Sequence, residues 1–467
     1  MQQITQIMTN KNFTLPFQPL LIAFAVIALL FSGSAKAQLN KQFSDTLTKT
    51  LELRVQQLNM KGVSAAIVFP DSSVWEHTVG NAGTKPLNTD MLFEMGSNTK
   101  TFVMALILLL EEEGKLSIDD TIYKYLSPIK NVTNGITIKQ LLQHTSGLYN
   151  YTGHPSFINK VNNGDPSAII EVDSILEYYI NPKLTEPGTK WEYSNTNFIL
   201  LGRIIEKVTG KEFHTVMREK LLDPLGLKHT YLAEYENHTE EKAETWLFGS
   251  GYDGVRYRSF LSGAWAAGGI ISTAEDLAKW AKLLYSNKVF SKNESYKKML
   301  TQVDVNGTKY QFGLSTFLRY YKGNLFIGHG GTTLQHSEME FAGRLDYSCV
   351  AVSIEQGTSQ ELESVKRTLY DVMESMLPLA LSAKEVEKPS FKVYPNPSNN
   401  IINIAIENPM DKHLIKVYSI TGKLVQQIET TGANTQLNKA NFGIGMFIIE
   451  VNNTKTNTAT HQRVVFN

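Results

Sequence analysis

The chain has 467 residues, of which 42% are hydrophobic and 19% are charged, and its formal net charge is zero. This composition is typical of two or three domains with a sizeable apolar core, and it excludes a chain that is disordered overall. The balanced charge argues against nucleic acid as a partner and against a polybasic membrane contact, because both usually require a basic face.

The N-terminus has the pattern of an export signal. Lys11 precedes an uninterrupted apolar run at residues 20–31, and the sequence Ala-Lys-Ala at 35–37 has small residues where a signal peptidase cleaves. The twelve apolar residues are too few for a membrane anchor, since about 20 are needed to span a bilayer. We therefore predict a signal peptide at 1–37, a mature chain that begins near Gln38, and no stable membrane span after cleavage.

Apolar periodicity predicts the first elements of the fold. Residues 41–60 have a helical pattern whose apolar positions are Phe43, Leu47, Leu51, Leu53 and Val55. Two strands are expected at 63–70 and 74–79, with a turn at 71–73. Further strands are expected at 325–327, 338–341 and 349–352, and the region between these two sets of strands has mostly helical patterns.

The stretch Ser-Asn-Thr-Lys at 97–100 opens a strongly apolar helical run at 103–110. Ser97 and Lys100 stand at positions i and i+3, which share a helix face, and they lie beside the positive end of the helix dipole. A serine hydroxyl needs a base to take its proton, and an apolar environment lowers the pKa of a lysine toward the neutral form that can act as that base.

The same Ser-x-x-Lys spacing recurs at 127–130, where it contains a proline, and at 295–298, beside a polar run. A lone example of this spacing is usually a surface serine near a surface lysine. Only the stretch at 97–100 opens an apolar helix, where a charged lysine would be costly without a role.

Two later segments add to this pair. Tyr193 and Asn195 precede a second helical pattern at 198–205, and residues 329–332 read His-Gly-Gly-Thr. Taken alone, Tyr193 could be a core aromatic residue, and His329 could be a histidine that packs at the end of a strand. Their spacing and order favour a site.

In this order, Ser-x-x-Lys, Tyr-x-Asn and a basic residue followed by glycine resemble the motifs of the serine β-lactamase and D-alanyl-D-alanine carboxypeptidase superfamily. The class C β-lactamase-related branch is the nearest match. Linking segments at 114–120, 141–148 and 268–277 resemble it too, and the likeness covers about residues 41–382. The resemblance implies an α/β (α+β) fold, in which an antiparallel sheet built from both chain ends is flanked by helices. A helical region is inserted in the sheet, and the site lies at the junction.

The resemblance also implies roles for individual residues. Ser97 resembles the nucleophile that accepts the acyl group, Lys100 its partner base, and Tyr193 the second member of the proton relay. The residues expected to bind substrate are Asn195, His329, Gly330 and Gly331. The backbone N–H groups of Ser97 and Thr332 would form the oxyanion hole. We expect no metal and no cofactor, because the Cys and His spacings show no ligand motif.

Two motifs depart from the β-lactamase pattern. The strand motif is His-Gly-Gly where many true β-lactamases have Lys-Thr-Gly, and the middle motif is Tyr-Ser-Asn where class C enzymes usually have Tyr-Ala-Asn. A histidine carries less positive charge than a lysine at neutral pH, so a substrate carboxylate would be held less firmly. Both changes favour a peptidase, esterase or amidase over an antibiotic-resistance enzyme.

Three functions are consistent with the sequence. The first is an exported serine hydrolase that acts through a Ser acyl-enzyme on D-amino-acid peptides, β-lactams or small esters. The second is an acyl transferase that uses the same site. The third is a non-hydrolytic peptidoglycan-binding or ligand-binding protein on this scaffold. The complete Ser, Lys and Tyr set favours an enzyme.

Beyond the motifs, Cys349 is the only cysteine, so the chain cannot form an internal disulfide. Its place in a predicted strand favours a buried structural thiol. A helical pattern at 361–377 is expected to end at Pro378, and residues 383–390 read as a small, charged and Pro-bearing linker.

Residues 391–467 form a separate unit by pattern, with strand-like segments at 401–406, 414–418 and 446–451 that predict a small all-β sandwich. Its opening and its middle resemble the type A sorting domain of the type IX secretion system. The resemblance implies that the secretion machinery is a partner and that the protein reaches the cell surface or the medium. The alternative is a generic β-module that binds carbohydrate or protein.

Overall fold

The computed structural model describes residues 32–246, 258–355, 357–382, 391–406, 412–420, 423–432, 434–454 and 458–467. The predicted apolar core of the signal peptide and the predicted linker at 383–390 lie outside these residues, so both stay predictions. None of the described helices combines the length and the apolar character that crossing a membrane requires.

The described helices are, in chain order, α1 (Ser32–Gln57), α2 (Thr99–Glu112), α3 (Ile138–Leu142), α4 (Pro155–Asn163), α5 (Val172–Tyr178), α6 (Thr196–Thr209), α7 (Phe213–Met217), α8 (Asp223–Leu225), α9 (Arg258–Gly268), α10 (Ala274–Tyr285), α11 (Asn293–Leu300) and α12 (Ser359–Ser382).

The described strands are β1 (Gly62–Val68), β2 (Val74–Ala82), β3 (Lys85–Pro86), β4 (Phe93–Glu94), β5 (Thr230–Leu232), β6 (Ile270–Ser272), β7 (Asp304–Val305), β8 (Thr308–Lys309), β9 (Phe317–Tyr321), β10 (Asn324–Thr332), β11 (His336–Ala342), β12 (Tyr347–Ser353), β13 (Phe391–Tyr394), β14 (Ile401–Ile406), β15 (His413–Ser419), β16 (Leu424–Thr430), β17 (Asn434–Asn438), β18 (Gly445–Asn453) and β19 (Thr458–Phe466).

The main sheet is antiparallel and is built from both ends of the hydrolase-like region, as the resemblance implied. Its strands run in the order β3-β2-β1-β12-β11-β10-β9. At its centre β1 pairs with β12, from Val63 opposite Ser353 to Val68 opposite Ser348. The predicted strands in this region are confirmed, and β10 extends beyond its predicted end to include the His-Gly-Gly-Thr stretch.

Helices cover both faces of this sheet. The odd-numbered positions Val63, Ala65 and Ile67 of β1 belong to the apolar cluster under α1 and α12, whereas Ala66 and Val68 belong to the larger cluster that includes α10. A strand buried on both faces reads as a continuous apolar run, which explains the sequence of β1.

The helix predicted at 41–60 is confirmed within α1. Its buried stripe repeats every four residues through Phe43, Leu47, Leu51 and Val55, and Leu53 lies on another side with 47% of its surface exposed. One expectation about the helices was wrong. The last helix does not end at Pro378, since α12 continues to Ser382. A proline in a helix removes one backbone donor, and this cost does not by itself end the helix.

Cys349 lies on β12 and is buried, and burial raises the pKa of its thiol to about 12. The expectation of an inert structural cysteine is therefore confirmed.

The C-terminal unit consists of two antiparallel sheets. One has the strand order β13-β14-β17 and the other β16-β15-β18-β19. Both contribute to one apolar core, which includes Ile402, Ile404, Ile415, Val417 and Ile449. Its described part has the predicted sandwich character.

Candidate active site

Ser97 lies in a short 3-10 turn, Gly96–Asn98, which leads directly into α2. Gly96 has a φ of +49°, and a Cβ atom at this position would lie 2.9 Å from the backbone nitrogen of Thr332. A glycine is therefore needed at 96, both for its backbone conformation and for the close approach of β10. Ser97 is partly exposed, while its neighbours Gly96 and Asn98 are buried.

Asn98 ties this turn to the sheet. Its Nδ2 atom donates to the carbonyl oxygen of Met95 at 3.2 Å and to Oγ of Ser337 on β11 at 2.8 Å. The hydroxyl of Ser337 in turn donates to the same Met95 carbonyl at 2.9 Å. The turn that carries Ser97 is thus bonded to the sheet beside it.

Lys100 is fully buried, and its Nζ atom has three hydrogen-bond partners. They are Oγ of Ser97 at 2.9 Å, Oδ1 of Asn195 at 2.7 Å and the carbonyl oxygen of Ala267 at 2.5 Å. The rings of Tyr193 and Phe198 lie 5.1 and 5.2 Å from Nζ. Burial lowers the pKa of Lys100 well below its usual range, which favours the neutral amine.

The three partners of Lys100 define what the neutral amine can do. A neutral amine has two protons and one lone pair. The oxygens of Asn195 and Ala267 can only accept, so they take the two protons. The lone pair then faces the Ser97 hydroxyl.

Tyr193 lies beside Lys100, whose Nζ is 5.1 Å from the centre of its ring. Burial raises the pKa of the Tyr193 phenol above its usual value, and the Ser97 side chain lowers it only in part. The phenol is therefore neutral over the ordinary pH range and can both donate and accept a proton.

Asn195 holds Lys100 and is itself held by its neighbours. Its backbone N–H donates to Oδ1 of Asn150 at 3.1 Å, and its Nδ2 donates to Oγ1 of Thr152 at 3.1 Å. We expected both groups of the Asn195 amide to be available to a substrate. The structure differs in this detail, because the oxygen is already bonded to Lys100.

His329 lies on β10 and is only 2% exposed. Its Nδ1 lies 2.5 Å from the Gly330 carbonyl, which can only accept, so Nδ1 carries the proton. Burial lowers the pKa of His329 to about 3. His329 is therefore neutral at physiological pH, so the strand motif carries even less positive charge than the comparison with lysine predicted.

The two glycines of β10 make room for protein atoms. A Cβ atom on Gly330 would lie 2.5 Å from Oε1 of Glu338, and one on Gly331 would lie 2.0 Å from the Met95 carbonyl oxygen. We expected both to leave space for substrate. The structure instead uses them to pack β10 against β11 and against the Ser97 turn.

The structure thus brings Ser97, Lys100, Tyr193 and Asn195 into one hydrogen-bonded group, with His329 and Thr332 on the adjoining strand. The other two Ser-x-x-Lys stretches lie apart from this group. Ser127 is exposed, and the buried Ser295 donates to Oε1 of Glu112 at 2.6 Å. Among the described residues, no group of three or more His, Cys, Asp or Glu side chains could hold a metal ion.

Sequence reasoning missed several contributors to this group. Ala267 acts through its backbone oxygen, so its side chain gives no signal. It follows Trp265, whose φ of +39° breaks α9 and turns the chain toward Lys100. Asn150 and Thr152 follow the linking segment at 141–148, which could have drawn attention to them.

Comparison with known proteins identifies the family. Residues 47–361 match the β-lactamase family model. The chain belongs to the β-lactamase family. Residues 392–467 match the model of the secretion system C-terminal sorting domain, so this β-lactamase family chain carries a sorting domain at its C-terminus.

Individual relatives match over part of their length. Penicillin-binding protein 4* of Bacillus subtilis (strain 168) is 30% identical over 238 residues, which cover 47% of this chain and 51% of the relative. Unguisins hydrolase ungD' of Aspergillus campestris is 29% identical over 266 residues, or 53% of this chain and 47% of the relative. The chain spans about half the length of the curated relatives it matches.

Two solved structures share the fold over nearly their whole length. The D-amino acid amidase of Ochrobactrum anthropi SV3, complexed with L-phenylalanine amide, has a TM-score of 0.62 and 24% identity, and the match covers 72% of this chain and 99% of that one. A D-stereospecific amidohydrolase from a Streptomyces species has a TM-score of 0.58 and 25% identity, with 68% and 97% covered.

Proposed function

We propose that this protein is an exported serine hydrolase that works through a Ser97 acyl-enzyme on amides and esters that lack a free carboxylate, D-amino-acid derivatives in particular. The observation that carries the proposal is the set of partners of Lys100. The two protons of its neutral amine are donated to oxygens that can only accept, and its lone pair faces the Ser97 hydroxyl. This is the arrangement that a buried lysine needs to act as a general base.

The reaction follows from these contacts. Nζ of Lys100 takes the Ser97 proton as Oγ bonds to the substrate carbonyl carbon, and the negative charge passes to the carbonyl oxygen. The backbone N–H groups of Ser97 and Thr332 stabilise that charge. Tyr193 gives a proton to the departing amine or alcohol, and Lys100 restores the Tyr193 proton. A water molecule then releases the acyl group by the same steps in reverse.

Three observations support amide or ester substrates without a free carboxylate. His329 is neutral at physiological pH, so the strand that would face a substrate carboxylate offers no charge at this position. Two of the solved structures that share the fold are named as amide hydrolases with D-stereospecificity. A hydrolase is also among the sequence relatives. In this proposal Asn195 and the backbone of β10 at His329, Gly330 and Gly331 form the wall beside the substrate.

We further assign residues 41–382 to hydrolysis and 391–467 to sorting. The match to a secretion system sorting domain supports export, and the signal-like N-terminus supports passage of the inner membrane. Delivery to the cell surface or the medium is part of this proposal.

The test is covalent labelling followed by turnover. A fluorophosphonate should add its mass to Ser97 in the mature protein, and p-nitrophenyl acetate and D-phenylalanine amide should be hydrolysed. Ser97→Ala should abolish labelling and turnover, while Ser127→Ala, at the exposed copy of the spacing, should change neither. Labelling of Ser127 or Ser295 would overturn the assignment, and transfer to an added amine in preference to water would favour the acyl transferase.

A further inference from the structure

His144 follows α3 in the linking segment at 141–148, and no step proposed above uses it. It is completely buried, and its φ is +58°. A left-handed backbone at a non-glycine residue is strained, and it persists only where the surroundings hold it in place.

His144 bonds to the chain on both sides of Tyr193. Its carbonyl oxygen accepts from the backbone N–H of Glu192 at 2.8 Å, and its Nδ1 accepts from the backbone N–H of Ser194 at 3.1 Å. One residue therefore holds the chain on both sides of Tyr193, at the N–H of Glu192 and at the N–H of Ser194.

The His144 ring also fixes the Tyr193 ring. The two rings stack with their centroids 4.1 Å apart and their planes at 29°. Phe198 and Phe312 lie against the imidazole at 5.4 and 5.5 Å, so the ring has little freedom to turn.

The tautomer of His144 follows from these bonds. A backbone N–H can only donate, so Nδ1 must be unprotonated to accept from Ser194, and the proton lies on Nε2. Nε2 has no hydrogen-bond partner among the described residues. Burial lowers the pKa of His144 well below its usual range, so the neutral ring is maintained.

We propose that His144 is a positioning residue for the hydrolysis, which holds the backbone and the ring plane of Tyr193 so that the phenol oxygen stays on Ser97. The inference rests on the proposed function, because it concerns the relay role of Tyr193. His144 itself touches no reacting atom.

The experiment compares His144→Asn with a matched control. Asparagine tolerates a left-handed backbone and keeps an acceptor near Ser194, but it removes the stacked ring. We expect kcat for p-nitrophenyl acetate to fall by about 10- to 100-fold with KM within about twofold, the pattern of a misplaced catalytic group. Phe290→Leu, which removes a buried aromatic ring outside the group of rings around His144, should lower the Tm while kcat stays within about twofold.

A double variant separates positioning from general stability. If His144 acts through Tyr193, adding His144→Asn to Tyr193→Phe should lower kcat little further, because the hydroxyl it positions is already gone. Losses that multiply would overturn the inference, and so would an unchanged kcat in His144→Asn. If neither His144→Asn nor His144→Gln folds, the residue is structural and the inference fails.

The outcome for Tyr193→Phe alone distinguishes this inference from the proposed function. Near-full activity in that variant would remove the proposed relay itself. A strong loss in Tyr193→Phe, multiplied by His144→Asn, would leave the relay in place and remove only the role of His144.

Discussion

A lysine at the start of an apolar helix has to be neutral to act as a base, and burial favours the neutral form of Lys100. Asn195 and Ala267 offer only acceptor atoms, so the amine directs its lone pair to Ser97. The same two contacts keep the amine in place after it has taken the serine proton, because an ammonium donates to them equally well.

At the residue scale, Lys100→Ala and Tyr193→Phe should each lower kcat by about 10²- to 10⁴-fold, the usual contribution of a positioned acid or base. Both variants should fold, as judged by circular dichroism. Lys130→Ala, which removes the lysine of the exposed Ser-x-x-Lys copy, serves as the control and should keep full activity. Near-full activity in either site variant would remove that residue from the mechanism.

The histidine of the strand motif leads to a prediction about pH. The pKa of His329 is lowered to about 3, so the ring is neutral above that pH and gains a proton only below it. Its charge is therefore constant between pH 5 and 8. We therefore compare kcat/KM for a neutral ester with kcat/KM for a cephalosporin. The ratio of the two should be independent of pH across this range, both in the natural protein and in His329→Gln.

A change in this ratio centred near pH 6.5 in the natural protein, but not in His329→Gln, would contradict the neutral assignment. The rate itself should fall on acidification, because Lys100 loses its lone pair as the pH drops through its lowered pKa.

At the element scale, the end of β10 packs against the turn that carries Ser97, and Gly331 is the point of contact. A Cβ atom there would lie 2.0 Å from the Met95 carbonyl oxygen and 2.6 Å from Oγ of Ser337. Gly331→Ala should therefore destabilise the fold by about 1–3 kcal/mol, the usual cost of overpacking. It should also lower kcat by about 10- to 100-fold as the Ser97 turn shifts.

The control for this variant is Gly343→Ala, since the nearest atom to a Cβ at 343 is a Phe341 ring carbon 3.8 Å away. Urea unfolding and ester turnover of both variants test the prediction. Equal effects in the two variants would show that the β10 contact has no special importance.

Much of this arrangement could be predicted from the sequence, because it depends on local pattern. The apolar runs of β1 and α2 predicted those elements, and the position of Ser97 directly before a helix follows from the run after it. The burial of His329 could not be predicted, since it depends on Phe317 and Tyr193, which are distant in sequence.

The glycines of β10 illustrate the same limit. The two glycines marked a stretch of strand without side chains. Which atoms lie in the space beside them depends on the strand register, which places Glu338 opposite Gly330. The left-handed backbone of His144 could not be predicted either, because this conformation is fixed by its bonds to Glu192 and Ser194, which are distant in sequence.

For the whole molecule, we expect a protein that ends at residue 382 to keep its hydrolase activity but no longer to be delivered to the cell surface or the medium. The described apolar core of 391–467 shares no residue with the clusters around the main sheet. Cell fractionation of the source bacterium and ester turnover of the purified truncated protein test this. Surface display of the truncated form would contradict the sorting assignment, and loss of turnover in a folded truncated form would show that the β-domain helps to build the site.

The order in which the strands are synthesised governs when this protein can fold. β1 sits at the centre of the sheet, yet Val63 pairs with Ser353, so the neighbour of β1 leaves the ribosome near the end of the hydrolase region. Contacts between such distant segments slow folding, because a long loop must close before they form. Until then β1 can pair only with β2, and its other edge is open to any strand it meets. The topology thus leaves the central sheet incomplete until β12 has been synthesised, and through that time the open edge of β1 is a site where the chain can pair wrongly.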